Sequence, residues 1–327
     1  MPAAIDVDRS QIALLVLVGP TATGKTSIAV ELCEWLQGEI IGADSIQVYR
    51  GFDIGSSKPR AENLRGIRHH LIDIIYPDQA IDASAYAAAA DRAIDEVVSR
   101  GKVPVVAGGT GLWVRTLLRG LVNVPPVDEP LRAELERAWD EQGKEAMYNR
   151  LREVDPRSAA RIHVNDRVRV IRALEVYEQT GFAMGELRAK HARGKPRYRA
   201  LTIFIDIHPV HLLKRLETRA RQMLEAGWIE EVRGLLDRYG TDIRPLKSVG
   251  YREVVEHIVE SIPIEITERE IVRSTRRYAR RQRTWFNSDP DIDERMTPEQ
   301  VVSEVGRNRI RAHFSHQPLV VPRGTIR

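Results

Sequence analysis

Short apolar runs alternate with amphipathic stretches over the first third of the chain. Runs of five to seven apolar residues have the length of buried strands, whereas apolar residues at every third or fourth position indicate helices. Because strands alternate with helices, this part of the chain is expected to form βαβ units around a parallel sheet. Strands are predicted over residues 12–18, 39–43 and 103–107, and helices over residues 25–36, 83–99 and 112–118.

The pattern changes at a proline-rich stretch, residues 124–130. Only helical patterns follow it, over residues 131–142 and 166–180, until an apolar strand-like run returns at residues 200–207. A strand that returns after a helical block predicts an insertion into the α/β core. Further helices are predicted over residues 210–226, 229–239, 250–259 and 267–287.

These patterns predict two domains. Residues 10–124 and 199–314 form an α/β core with C-terminal helices, residues 125–198 form an inserted helical domain, and residues 315–327 form a loose tail. A chain of 327 residues is long enough for this arrangement. A composition of 43% hydrophobic and 29% charged residues is typical of a soluble globular protein.

Cysteine content and apolar run lengths exclude several classes of protein. The single cysteine, Cys33, excludes an internal disulfide and a multi-cysteine zinc site. Apolar runs stay short of the roughly 20 residues of a membrane span. The acidic N-terminal segment lacks the pattern of a secretion signal. We expect a cytoplasmic protein that acts as a monomer and has no membrane partner.

The loop after the first predicted strand carries the strongest chemical signal. Its glycines permit a tight turn, its backbone amides and the following helix N-terminus attract phosphate, and Lys25 can reach the outer phosphates. The Thr26 hydroxyl can hold Mg²⁺, which is the expected cofactor. This P-loop predicts a di- or triphosphate ligand, and by motif alone it indicates ATP. The P-loop residues are Gly19, Pro20, Thr21, Ala22, Thr23, Gly24, Lys25 and Thr26.

Two further motifs lie where ligands bind in parallel sheets, beyond the carboxyl ends of strands. Asp44 follows the second predicted strand, where it can act as a general base, a Mg²⁺ ligand or a turn cap. Residues 108–111, Gly-Gly-Thr-Gly, follow the third strand, and Thr110 can donate a hydrogen bond to phosphate. An acidic residue is expected there in an ordinary P-loop ATPase, so the pattern speaks against simple nucleotide hydrolysis.

An arginine-rich helix indicates an anionic partner. The chain has a formal net charge of +4, and the basic excess lies beyond residue 124. Aromatic residues are interleaved with the arginines, an arrangement that suits phosphate contact together with base stacking. A charge run is more often a solvated helix face, but the absence of acidic residues favours RNA here. The arginines are Arg273, Arg276, Arg277, Arg280, Arg281 and Arg283.

Taken in order, these motifs resemble those of the bacterial tRNA dimethylallyltransferases, from residue 14 to residue 287. The matching motifs are the P-loop, Asp44-Ser45-x-Gln47-x-Tyr49, Asp53-Ile54-Gly55, His69-His70-Leu71-Ile72-Asp73, Gly108-Gly109-Thr110-Gly111-Leu112, Arg172-Ala173-Leu174-Glu175-Val176-Tyr177, Arg219, Gly250-Tyr251-Arg252-Glu253 and Thr284-Trp285-Phe286. The resemblance implies a P-loop NTPase-like core with an inserted, tRNA-clasping helical domain.

The resemblance also implies a reaction. A dimethylallyl group would pass from dimethylallyl pyrophosphate to N6 of the adenosine at the 3′ side of the anticodon, position 37, in tRNAs that read codons beginning with U. The P-loop would hold the pyrophosphate, Asp44 would take the N6 proton, and Thr110 and Arg219 would act at the reacting groups. The implied tRNA contacts are Asp44, Ser45, Ile46, Gln47, Thr110, Arg132, Val168, Arg169, Val170, Ile171, Arg172, Lys247, Gly250, Tyr251, Arg252, Arg280, Arg281, Gln282, Arg283 and Trp285.

Three alternatives remain open from the residues. A P-loop small-molecule kinase shares Lys25, Thr26 and Asp44 but leaves the arginine helix unexplained. A nucleotide-gated RNA-binding module would bind tRNA without consuming a prenyl donor. A prenyltransferase that acts on free adenine nucleotides would not need the long basic C-terminal half.

Overall fold

The computed structural model describes residues 9–191 and 194–315 of the chain. The chain splits into two compact units, which we call the sheet unit (Met1–Leu118 with Arg197–Arg327) and the helical unit (Arg119–Pro196). The sequence placed the boundaries near residues 124 and 199 and a loose tail at 315–327, most of which lies outside the described residues. In the structure the boundary precedes the proline-rich stretch, because residues 120–128 have no regular structure and group with the helices that follow.

The strands are β1 (Ala13–Val18), β2 (Gly38–Ala43), β3 (His69–His70), β4 (Val103–Gly108), β5 (Arg199–Ile205) and β6 (Glu294–Met296). The helices are α1 (Lys25–Leu36), α2 (Ala61–Leu64), α3 (Ala83–Ser99), α4 (Gly111–Arg119), α5 (Glu129–Val154), α6 (Pro156–Ala159), α7 (Arg167–Thr180), α8 (Met184–His191), α9 (Pro209–Glu225), α10 (Trp228–Tyr239), α11 (Tyr251–Glu260), α12 (Ile264–Asn287), α13 (Pro298–Val302) and α14 (Glu304–Phe314).

The six strands form one parallel sheet in the order β3-β2-β4-β1-β5-β6. β1, β2 and most of β5 are buried on both faces, which explains why their sequences are apolar runs without alternation. Helices cover both faces: α3, α4, α10, α11 and α12 pack on one, and α1 and α14 pack on the other. The predicted parallel α/β core with an inserted helical region and helical C-terminal part is confirmed.

The helical unit has its own hydrophobic core, formed by residues of α5, α6, α7 and α8. The fully buried side chains Met147, Leu151 and Leu174 lie at its centre. α5 bends at Gly143, whose φ of +84° is strained for any residue with a side chain. The sequence pattern ended this helix at residue 142; in the structure the chain turns at the glycine and continues as helix to Val154.

The edges of the sheet hold the strands that the sequence pattern did not predict. β3 has two residues, both histidines, and β6 has three partly or fully exposed residues, Glu294–Met296. Such short edge strands carry no apolar run by which a pattern can find them. No described helix is both long enough and apolar enough to cross a membrane.

Candidate active site

The loop after β1 has the strand–loop–helix arrangement of a phosphate-binding site. A side-chain carbon on Gly19 would lie 2.2 Å from the carbonyl oxygen of Ile205, so only glycine lets the loop begin against β5. Gly24, at φ +90°, begins α1 without a side-chain cap, which leaves amides of the first turn available to an anion. The Thr23 hydroxyl and the Lys25 ammonium both donate hydrogen bonds to the carbonyl of Pro20, at 2.9 and 2.6 Å.

The electrostatics of Lys25 bring together three residues from separate motifs. Burial and the nearby charge of Arg219 lower the pKa of Lys25 to about 7, and the carboxylate of Asp44 opposes that shift. Burial also lowers the pKa of Arg219, again opposed by Asp44. Because Lys25 begins α1, Asp44 follows β2 and Arg219 lies on α9, three elements converge on one cluster of charges. Such coupled, crowded charges are typical of a site that handles an anionic ligand.

Asp44 and Thr110 are held by the ends of neighbouring strands. One carboxylate oxygen of Asp44 accepts hydrogen bonds from the backbone N–H groups of Ile46 (2.9 Å) and Gln47 (3.3 Å). Its second oxygen makes no hydrogen bond within the described parts of the chain, and so remains able to accept a proton. The Thr110 hydroxyl accepts the backbone N–H of Ser45 at 3.1 Å, and the Thr110 N–H donates to the carbonyl of Ala43, also at 3.1 Å. The turn-cap and catalytic interpretations of Asp44 are therefore compatible.

Gln282 joins the P-loop to the Thr110 loop. Its side-chain oxygen accepts the backbone N–H of Thr21 at 2.9 Å, and its side-chain nitrogen donates to the carbonyl of Gly109 at 2.9 Å. Only 6% of the residue is exposed. The resemblance implied that Gln282 contacts RNA; in the structure its side chain lies on the buried face of α12 and bonds to the backbone of two loops.

Comparison with known proteins shows the family of this chain. The family model for IPP transferase matches residues 47–289. The chain belongs to the IPP transferase family. The tRNA dimethylallyltransferase of Sorangium cellulosum is 47% identical over 273 residues, which are 84% of this chain and 87% of that protein. The tRNA dimethylallyltransferase 1 of Pelobacter propionicus is 44% identical over 280 residues, which are 85% of this chain and 91% of that one.

Solved structures show the same fold as this IPP transferase family member. The full-length tRNA isopentenylpyrophosphate transferase from Bacillus halodurans aligns with a TM-score of 0.65 at 35% identity, over 92% of this chain and 94% of that one. A eukaryotic dimethylallyltransferase, crystallised while acting on tRNA, aligns with a TM-score of 0.78, over 95% of this chain and 82% of that one. Its identity of 24% makes it evidence for the fold alone.

The arginines of α12 divide into an exposed set and a structural set. Arg276, Arg277, Arg280 and Arg281 are exposed and have no acidic partner within 4.0 Å among residues 9–191 and 194–315. Arg273 is exposed but pairs with Glu270 at 3.3 Å. Arg283 pairs with Asp206 at 2.6 Å and also donates to the carbonyl of Ile207. Arg280 and Arg281 are therefore exposed without an acidic partner in the described parts of the chain, whereas Arg283 is paired with Asp206 just beyond the end of β5.

Trp285 lies against the loop that carries Thr110. A side-chain carbon on Gly111 would lie 2.2 Å from the indole nitrogen of Trp285, so glycine is required for this approach. The guanidinium of Arg115 stacks 4.3 Å above the Trp285 ring, and Arg115 also pairs with Asp289 at 3.0 Å. The ring is thus fixed from two sides and only partly exposed.

The other implied RNA-contacting residues of the sheet unit differ in exposure and in their bonds to other protein groups. The Gln47 side chain donates to the carbonyls of Ser56 and Ser57, and Ile46 is partly buried. Tyr251 is 1% exposed, and its hydroxyl donates to Glu231 at 2.7 Å. These side chains shape the loops beneath the surface. The side chains of Lys247 and Arg252 are more than half exposed and lie in ion pairs with Asp242 and Glu253.

In the helical unit, most of the implied RNA contacts have structural partners. Arg132 and Arg172 both pair with the fully buried carboxylate of Glu175, at 2.6 and 2.8 Å, and Arg172 also donates to the carbonyl of Pro125. Hydrogen bonds of this kind fix the proline-rich stretch against α7. Val170 and Ile171 are buried in the core of the unit, Val168 is 74% exposed, and Arg169 pairs with Asp166.

Arg215 stands beside the P-loop and was not predicted from the sequence. Its guanidinium donates to the carbonyls of Ala22 and Thr23 at 3.5 and 3.4 Å. It lines an open groove of about 310 Å³ together with Lys214, Thr218, Arg219 and Gln222. The available signal was the spacing of four between Arg215 and Arg219, which places both on one face of α9.

Proposed function

We propose that this chain transfers a dimethylallyl group from dimethylallyl pyrophosphate to N6 of adenosine 37 in tRNAs that read codons beginning with U. The product would be N6-isopentenyladenosine. Family membership supports the reaction class, since the relatives are named tRNA dimethylallyltransferases. The observation that carries the proposal is the convergence of Lys25, Arg219 and Asp44 on one cluster, which combines an anion cradle with a proton acceptor.

The donor side of the reaction suits the cations of this cluster. The bond between the allylic carbon and the pyrophosphate oxygen breaks as the pyrophosphate leaves with its electron pair. P-loop amides, Lys25 and Arg219 would stabilise the negative charge that grows on the leaving group. Because these groups are positioned before the reaction, they need little reorganisation as the bond breaks.

Mg²⁺ is part of the proposal for the donor. Thr26 follows Lys25 at the start of α1 and would supply its hydroxyl. The described residues contain no cluster of three or more side chains that could hold a metal ion by themselves. Mg²⁺ usually takes few protein ligands and completes its shell with phosphate oxygens and water. When bound, the ion would neutralise part of the pyrophosphate charge.

The acceptor side suits Asp44 and Thr110. The adenine N6 forms the new bond to the allylic carbon and gives one proton to the free carboxylate oxygen of Asp44. The Thr110 hydroxyl, whose oxygen already accepts Ser45 N–H, keeps its own proton to donate toward the reacting groups. A base that reacts at an exocyclic nitrogen has to leave its stack, so the site would receive an extruded nucleotide.

The exposed arginines of α12 support tRNA as the macromolecular partner. Four of them have no acidic partner among the described residues, and phosphate contacts by such side chains position an RNA without reading its sequence. A cytoplasmic location and a monomeric state belong to the same proposal.

Transfer of label tests the proposal. The protein is incubated with labelled dimethylallyl pyrophosphate, Mg²⁺ and an unmodified anticodon stem-loop, without ATP, and label in the RNA is counted. A matched stem-loop with guanosine in place of adenosine 37 should stay unlabelled. Labelling of free AMP but not of the stem-loop would indicate a nucleotide prenyltransferase. RNA binding without transfer would indicate a binding module, and a requirement for ATP with phosphorylated product would indicate a kinase.

A further inference from the structure

The side chain of Gln282 points in the opposite direction to its charged neighbours on α12. Arg280 and Arg281 are exposed, whereas Gln282 is one of the most buried polar residues of the helix. The residue is surrounded by protein, so an RNA on the arginine face would not touch its amide. Its role must therefore lie on the inner side of α12.

The chemistry of the two contacts fits glutamine and few other residues. A carboxamide presents an acceptor oxygen and donor N–H groups on one short side chain. Here the oxygen accepts Thr21 N–H, and the nitrogen donates to Gly109 C=O, both at 2.9 Å. Glutamate has no donor for Gly109 at neutral pH, and asparagine is one methylene shorter. Methionine matches the length of glutamine but makes neither bond.

These bonds connect the two halves of the proposed site. Thr21 belongs to the P-loop, and Gly109 precedes Thr110, whose hydroxyl holds Ser45 next to Asp44. The approach is close: a side-chain carbon on Gly109 would lie 2.3 Å from the amide nitrogen of Gln282. The pairing of β1 with β4 already places the starts of the two loops side by side, with Val18 opposite Gly108. The buried amide adds a direct link beyond the strand ends, between the loop that would hold the donor and the loop beside the general base.

We propose that Gln282 is a positioning residue that holds the donor loop and the acceptor loop in register. That these loops bind dimethylallyl pyrophosphate and tRNA rests on the proposed function, whereas the hydrogen bonds of Gln282 to Thr21 and Gly109 are observed in the structure. Loss of the amide releases one backbone donor and one backbone acceptor, and both loops gain freedom. A misplacement of about 1 Å between reacting groups is enough to slow a reaction roughly a hundredfold.

The first test compares Gln282→Met with the matched control Ser274→Ala. Ser274 is also a buried polar residue of α12, but within the described residues its hydroxyl donates to the carbonyl of Ile271 on the same helix and to no other group. We measure inorganic pyrophosphate affinity by calorimetry, stem-loop affinity, single-turnover transfer and Tm. Gln282→Met should weaken pyrophosphate binding about tenfold and slow transfer ten- to a hundredfold. Its stem-loop affinity should stay normal, and Ser274→Ala should leave all binding and rate constants unchanged.

A double-mutant cycle supplies a test that does not depend on Gln282→Met folding. Gly109→Ala keeps Gln282, but the added methyl group displaces the amide of Gln282 from Gly109. The single substitution should therefore weaken pyrophosphate binding and slow transfer as Gln282→Met does. In the Gln282→Ala background the same change should add little, because the contact is already gone. Additive effects of Gly109→Ala and Gln282→Ala would overturn the proposal.

Other results also overturn it. Normal pyrophosphate affinity and rate in Gln282→Met would show that the amide positions nothing. Weaker stem-loop binding with normal pyrophosphate binding would make Gln282 an RNA contact. Equal defects in Gln282→Met and Ser274→Ala, in proportion to lost stability, would make the residue a packing element only. If the wild-type protein transfers no label, the proposed function fails, while the pyrophosphate comparison still decides the role of Gln282.

Discussion

The hydroxyl of Thr110 accepts the backbone N–H of Ser45 across 3.1 Å, which ties the end of β4 to the turn that carries Asp44. Thr110→Val keeps the shape of the side chain but leaves that N–H without its partner. We expect single-turnover transfer to fall about ten- to a hundredfold, because Asp44 loses its fixed position. Thr110→Ser should retain most of the rate.

Thr116→Val is the control for this pair. It removes a hydroxyl that donates to the carbonyl of Leu112 within α4 and makes no other hydrogen bond in the described parts of the chain. If Thr110→Val transfers as fast as Thr116→Val, the link between Thr110 and Ser45 has no part in catalysis.

The lowered pKa of Lys25 leads us to expect that donor binding depends on pH. Its pKa is lowered to about 7, so the free protein loses this charge as the pH rises through 7. A bound pyrophosphate favours the charged amine, so binding above pH 7 has to take up a proton. Affinity for inorganic pyrophosphate should therefore fall with rising pH, by at most about tenfold per unit.

Calorimetry at pH 8 in buffers of different ionisation enthalpy measures this proton uptake directly. Lys25→Arg keeps the charge at every working pH and corrects for titration of the ligand itself. Equal proton uptake by the wild-type protein and Lys25→Arg would show that Lys25 is already charged in the free protein.

Arg215 is expected to support the P-loop from outside. Its guanidinium contacts the carbonyls of Ala22 and Thr23, whose peptide units end in the amides of Thr23 and Gly24. Losing a hydrogen bond of this kind typically costs about 0.5–1.5 kcal/mol. Arg215→Ala should therefore weaken pyrophosphate binding by roughly two- to tenfold. Lys214→Ala removes a neighbouring charge without that contact. An equal effect of the two substitutions would indicate a general electrostatic field instead.

The exposed arginines of α12 should appear in the salt dependence of RNA binding. Each phosphate contact that is removed lowers the slope of log affinity against log salt by roughly 0.7–0.9. Arg280→Ala and Arg281→Ala are expected to show this change. Arg273→Ala, which removes an arginine already paired with Glu270, should change the slope less. Unchanged slopes in all three variants would make this face a solvated surface.

Much of the sheet and the first layer of the site could be predicted from the sequence. β1, β2 and β4 are apolar runs, and the P-loop, Asp44 and Thr110 follow their carboxyl ends, where a parallel sheet collects its ligands. Edge strands such as β6 were not predicted, because three residues that are partly or fully exposed form no apolar run.

The second layer of the site could not be predicted, because it depends on which face of a helix is buried. In the run from Arg273 to Arg283 the sequence shows arginines with an interleaved aromatic residue, but it does not show which side chains face solvent. The structure separates exposed Arg280 and Arg281 from Arg283, which binds Asp206, and from Gln282, which binds two loops. The Gln282–Gly109 contact joins residues that are 173 positions apart in the sequence, and the Gln282–Thr21 contact joins residues that are 261 positions apart. Contacts over such distances have no local sequence signature.

Asp44→Asn in single-turnover transfer tests the central claim most directly, because asparagine keeps the shape of the side chain but does not accept the N6 proton. General base catalysis typically contributes about 10² to 10⁴ in rate, so transfer to the stem-loop should fall within that range. Affinities for pyrophosphate and for the stem-loop should change little, since the loss is confined to the transition state. A near-normal rate would contradict the account, and so would weakened pyrophosphate binding that excess Mg²⁺ restores, which would make Asp44 a metal ligand.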